Sequence, residues 1–150
     1  SMLRQHENFL SRHAGDPFSR KYMQDIGHFE FGELHRPIRF DSDGPARLTA
    51  AGTPETLDYW LAYWIDAFEH IAVHREQVLL LSYERACEHG SATLEALAER
   101  VDPGFDDAPA DLAGIFRSPP GYEMESRVRD SALLEQAGTL HRRLLGLSIV

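Results

Sequence analysis

A mainly helical fold around one core β-strand is what this sequence predicts, and three observations predict it. Apolar residues recur every three or four positions over residues 2–13, 53–75 and 130–145, the period of a helix with one buried face. Asp16-Pro17 and Thr53-Pro54 each pair a capping side chain with a proline suited to the first helical turn. One continuous apolar run, Val78-Leu79-Leu80-Leu81-Ser82-Tyr83, follows a charged turn and has the length and composition of a strand buried on both faces.

In the first helix, residues 2–13, Leu3, His6, Leu10 and His13 form one stripe, with Gln5 and Phe9 beside it. Gly15-Asp16-Pro17 breaks it, and a second short helix capped by Asp16 is expected to reach Ile26 before Gly27 stops it, so that the two form a corner. Residues 28–53 lose periodicity. Arg36-Pro37 and Asp41-Ser42-Asp43-Gly44-Pro45 punctuate them, which reads as a long loop and a candidate lid or acceptor-binding segment.

Thr53-Pro54-Glu55 then opens the clearest helix, with Leu57, Trp60, Leu61, Trp64, Phe68 and Ile71 as its apolar face through Arg75. After the strand, a short helix is expected over 84–89. Another, capped by Ser91, has Leu94, Leu97, Ala98 and Val101 as its stripe; a short one is expected over 109–116. Asp130 caps a last helix whose Leu133, Leu134, Ala137, Leu140, Leu144 and Leu145 point inward.

A chain of 150 residues fits one domain. Its 43% apolar and 26% charged composition excludes the disordered class, and no apolar run approaches a membrane span. The formal charge of −9 argues against a surface that binds nucleic acid by neutralising phosphates. Fourteen of the fifteen basic residues are Arg, a bias that genome composition explains without phosphate binding. The single cysteine, Cys87, cannot form an intrachain disulfide, and no signal-peptide pattern opens the chain, so a cytoplasmic location is expected.

The order of helix, loop, tryptophan-rich helix and then VLLLSYE resembles the sulfotransferase family of bacterial type, whose members use 3'-phosphoadenosine-5'-phosphosulfate (PAPS) as donor. The resemblance spans most of the chain and implies the C-terminal portion of a P-loop NTPase-like α/β domain. In that family a serine opening a helix binds the donor's 3'-phosphate, and SMLRQHENFL is similar to the start of that helix. Ser1 is the matching residue, with the backbone N–H groups of a helix start as the anion site; Ser1-Met2 reads equally as a cloning remnant.

Tyr83 matches the family's tyrosine at the strand end that contacts adenine, and a core tyrosine is its other reading. Phe116-Arg117-Ser118 lies where the family closes a polar loop over the base, which places Arg117 and Ser118 at the donor by resemblance, against the plainer reading of surface polarity. His6 is a candidate base for the acceptor hydroxyl, or a partly buried histidine satisfied by a neighbour. The acceptor implied is a small molecule or glycan carrying a hydroxyl or amine.

Two departures qualify the resemblance. The Gly-rich loop with Lys that wraps the phosphosulfate has no counterpart in these residues, nor have the C-terminal Arg-Lys-Gly and Gly-Asp-Trp of many animal members. The alternative is therefore a non-catalytic helical interaction or regulatory module. The unpaired edge of residues 78–83 also predicts pairing with a second copy.

Other constellations carry less. His70 and His74 have the spacing of two metal ligands, yet no Glu follows His70. His28 and His35 with Glu30 and Glu33 read as loop polarity, and no metal is expected. No spacing supports a Ser-His-Asp or Cys-His nucleophile.

Overall fold

The computed structural model describes residues 2–101, 116 and 127–149, and these are mainly helical. In order they form α1 (Met2–Gly15), α2 (Pro17–Asp25), a 3₁₀ turn (Gly32–Leu34), α3 (Gly44–Ala51), α4 (Leu57–Val73), a second 3₁₀ turn (Arg75–Gln77), α5 (Tyr83–Glu88), α6 (Gly90–Val101) and α7 (Ser131–Leu147). The chain divides into two compact units, Ser1–His70 with Met124–Gly138, and Ile71–Glu123 with Thr139–Val150.

In the first unit, α1 and α2 meet at Asp16, whose carboxylate accepts from Phe18 N–H at 3.0 Å ahead of Pro17. The expected cap and proline are therefore both in place, and Ile26 ends the helix before Gly27 turns at φ +74°. Leu3, His6 and His13 of the expected α1 stripe are buried. Leu3 joins Leu48, Tyr59, Trp60 and Ala62 in the core, with Phe31, Leu57, Tyr63 and Leu133 packed around them.

The long loop expected over 28–53 is corrected, because it contains the Gly32–Leu34 turn and all of α3. Asp41 explains the helix: its Oδ1 accepts from Asp43 N–H at 2.9 Å and Gly44 N–H at 2.7 Å, supplying from outside the cap that Asp43 does not provide. Asp-Ser-Asp-Gly-Pro is the helix start as well as the turn.

The start and the face of α4 are also corrected. Residues 54–56 form a turn, with Thr53 C=O accepting from Thr56 N–H at 2.9 Å, and the helix begins at Leu57. Its buried residues include Asp58, Tyr59, Trp60, Ala62, Ile65 and Asp66, whereas Leu61, Trp64, Phe68 and Ile71 are only half-buried. The buried face is thus shifted around the helix toward small and acidic residues. Carboxylates tolerate burial when they are paired. Asp58 accepts from the Arg129 and Asp130 N–H groups at 3.0 and 3.1 Å, and Asp66 accepts from Arg47 Nε at 2.8 Å.

In the second unit, α5 and α6 pack together. Ser82 caps α5 by accepting from Arg85 N–H at 3.3 Å, and Arg85 reaches the Leu145 carbonyl of α7 at 3.1 Å. The doubly buried strand expected over 78–83 is not formed among the described residues: residues 78–82 carry no ladder, and Tyr83 already belongs to α5. Leu80 C=O accepts from Ile149 N–H at 2.9 Å and Ser82 N–H donates to Ser148 Oγ at 3.0 Å. Val78, Leu79 and Leu81 remain 41%, 46% and 38% exposed.

Asp130 caps α7 as expected, with its Oδ1 accepting from Ala132 and Leu133 N–H at 2.9 and 3.1 Å, and Ala137, Leu140 and Leu144 are buried. α6 starts at Gly90, one residue ahead of the expected cap, and the helix expected over 109–116 lies outside the described residues apart from Phe116. No helix among the described residues is long and apolar enough to cross a membrane.

The double acceptance by Asp58 generates a test. Asp58→Ala removes a charged acceptor from two backbone donors, so urea unfolding should lose about 1–3 kcal/mol. Asp58→Asn, which keeps one acceptor oxygen, should lose less.

Candidate functional site

The densest group of functional side chains lies in the first unit, where α1 meets the Gly32–Leu34 turn. His6 and His13 fall seven residues apart on the same face of α1. Between them sits Gly32, at φ +78°, a conformation that favours glycine. A Cβ there would stand 2.8 Å from the His13 ring and 2.9 Å from Phe9 Cβ. The turn thus brings bare backbone against the helix, and Gly32 N–H donates to His6 Nδ1 at 3.1 Å.

That bond settles the tautomer of His6. A backbone N–H can only donate, so Nδ1 carries the lone pair and Nε2 carries the proton in the neutral ring. His6 is 2% exposed, and its Nε2 has no hydrogen-bond partner among the described residues. Burial, followed by the nearby His35, lowers its pKa from the ordinary 6.5.

His35 holds the opposite tautomer. Its Nδ1 is 2.7 Å from the Glu30 carbonyl, which can only accept, so Nδ1 carries the proton and Nε2 accepts from Tyr59 O–H at 2.8 Å. Burial lowers the His35 pKa, outweighing the Glu30 and Phe29 carbonyls and the Glu55 charge that favour the cation. Burial, with Tyr63 as a smaller contributor, pushes Tyr59 up to about 12. Trp60 gathers these rings, with its centroid 5.4 Å from His6, 4.9 Å from His35 and 5.5 Å from Phe31. Its indole N–H donates to the Pro54 carbonyl at 2.6 Å.

At neutral pH His6, His35 and Tyr59 therefore present two uncharged imidazoles whose lone pairs are both engaged, a protonated phenol, and the buried N–H donor of His6, beside a buried His13 ring whose two nitrogens have no hydrogen-bond partner among the described residues. To act as a base, His6 would first have to release Gly32. Tyr63 O–H accepts from Ile38 N–H at 3.0 Å, and His28 Nδ1 lies 3.2 Å from Glu30 Oε2, so the same cluster organises residues 28–38.

Among the other residues singled out by sequence, Tyr83 belongs to the second unit. It is 46% exposed at the start of α5, with its ring edge-on to Phe116 at 6.3 Å. Ser1, Arg117 and Ser118 lie outside the described residues. His70 packs on Phe40 at 5.3 Å, and His74 lies beyond the end of α4. Among the described residues no group of three or more His, Cys, Asp or Glu is arranged to hold a metal ion. Gly32, His35 and Tyr59 were not foreseen as members of one site, because their contact spans 24–26 residues and leaves no periodic signal.

The two depressed histidines make stability pH-dependent. Unfolded imidazoles titrate near 6.5, while those of His6 and His35 titrate lower in the folded chain. Their contribution is complete above the unfolded pKa. It falls as pH drops through 6.5 toward the folded values, because the unfolded chain binds more protons there. Urea unfolding between pH 8 and 5 should show an acid limb of up to about 1.4 kcal/mol per pH unit for each proton taken up. His6→Asn, which keeps an acceptor for Gly32 without titrating, should flatten that limb.

No protein-family model matches the chain, and no curated protein and no solved structure shows significant similarity to it.

Proposed function

We propose that the chain is the C-terminal portion of a P-loop NTPase-like sulfotransferase domain, whose complete parent transfers a sulfuryl group from PAPS to a small-molecule or glycan acceptor. An acceptor oxygen or nitrogen attacks sulfur, the bond from sulfur to the 5'-phosphate oxygen breaks, and 3'-phosphoadenosine-5'-phosphate departs. The acceptor's proton passes to a base. Ser1 stands at the 3'-phosphate, Tyr83, Arg117 and Ser118 stand around the adenine end, and His6 acts on the acceptor side by holding the 28–53 segment through Gly32. The fully buried His6 lone pair on Gly32 suits such positioning better than proton abstraction.

The observation that most supports this reading is the extended run leading into α5. Three apolar residues there are about two-fifths exposed, and the run ends in Ser82-capped Tyr83-Glu84. An exposed apolar segment that carries no ladder calls for neighbouring strands to cover it. In the proposed domain this is the core strand of a parallel sheet; pairing with a second copy is the other way to cover it. Tyr83 at the segment's end offers an aromatic surface for a purine.

The rival reading, a non-catalytic helical interaction module, draws on the absence of a Gly-rich loop followed by Lys from these 150 residues. Calorimetry with 3'-phosphoadenosine-5'-phosphate separates the two, since this product probes the nucleotide site without turnover. The sulfotransferase reading expects binding with a Kd on the order of micromolar, weakened by about one to two orders of magnitude in Tyr83→Ala. No binding, or binding that Tyr83→Ala leaves unchanged, favours the interaction module.

A further inference from the structure

A concave feature of the first unit lies apart from the histidine cluster. It is a pocket of about 260 Å³ lined by residues of α3 and α4 and by Asp130, Leu133 and Gln136 at the start of α7. Ala50, Ala51, Ala62, Ile65 and Leu133 supply its apolar surface. The run of alanines creates the space, because methyl groups leave a gap that larger side chains would fill.

Its charges are unbalanced. Arg47 is the single cation among the lining residues, against the carboxylates of Asp66, Glu69 and Asp130. Arg47 is already neutralised: its Nε donates to Asp66 Oδ1 at 2.8 Å, and its Nη2 reaches Asp66 Oδ1 at 2.5 Å and Asp41 Oδ2 at 2.8 Å. Asp130 is partly offset by the α7 N-terminus that its Oδ1 caps. Glu69 is left with a neutral partner, Gln136 Nε2 at 3.3 Å, and no cation among the described residues.

We infer that this pocket binds a small organic cation, a primary amine with a compact apolar body. The body lies against the alanine methyls and the ammonium group is held by Glu69, with Asp130 beside it. An anion would meet three carboxylates and an arginine already doubly paired. A metal ion would lack ligands, since among the described residues no group of three or more His, Cys, Asp or Glu is arranged for one. An ammonium group satisfies Glu69 with charge-assisted hydrogen bonds, while the methyl-lined floor takes the apolar body, which an inorganic cation lacks.

The test follows methyl chemical shifts of the full chain on titration with benzylamine, benzyl alcohol and benzoate, which share one body and differ in charge. Benzylamine should give saturable shifts at Ala50, Ala62 and Ile65. Benzyl alcohol should bind about two- to fivefold more weakly, and benzoate should not shift these methyls. Glu69→Gln, at an exposed position, should abolish the preference for amine over alcohol, and Ala50→Leu should fill the pocket and abolish the shifts. Equal binding of amine and alcohol, the absence of saturable shifts, or an amine preference that survives Glu69→Gln would each overturn the inference.

Discussion

The hydrogen bond from Gly32 N–H to His6 Nδ1 is the constraint on which the first unit rests. A buried backbone donor needs an acceptor, and here the acceptor is a helix side chain 26 residues earlier. For the donor to come close enough, residue 32 must lack a Cβ and adopt positive φ, which only glycine does readily. Once the turn is seated on α1, Phe31 is carried to Trp60, and His35 is carried to both Trp60 and Tyr59. The position of α1 against α4 and the course of residues 28–38 are consequences of one backbone approach.

α4 is held by a different device, two carboxylates buried on its core side. Asp58 takes the backbone donors that lead into α7, and Asp66 takes Arg47 from α3. Asp66 is buried while Arg47 stays exposed, so desolvation of the carboxylate offsets part of the Coulomb attraction and the pair contributes to the register of its two helices as well as to stability. The pairing also leaves a pocket whose apolar floor is alanine and whose spare charge is Glu69. Packing and charge at that place have the same origin.

Much of the helical architecture was readable from sequence, because caps and periodicity act locally. Asp16-Pro17 and Asp130 cap α2 and α7, and Leu3, His6 and His13 are buried on α1. The buried face of α4 departs from the one its large apolar side chains indicate, because it includes Ala62 and also Asp58 and Asp66, whose burial depends on partners distant in sequence. α3 was missed because Asp41, Gly44 and Pro45 signal turn and helix start with the same residues. The run from Val78 to Leu81 has strand composition, but a ladder requires a second segment, and composition cannot supply one. Of the candidate site, His6 was visible as part of a stripe. Gly32, His35 and Tyr59 were not, since their meeting is a tertiary fact.

If neutral imidazoles of opposite tautomer lock the turn to α1, long-range ¹H–¹⁵N correlation of the histidine rings near neutral pH will show it. His6 should carry its proton on Nε2 with an unprotonated Nδ1, and His35 its proton on Nδ1 with an unprotonated Nε2. A protonated Nδ1 on His6, whether in the cation or in the other tautomer, would contradict it, because that nitrogen could not then accept from Gly32.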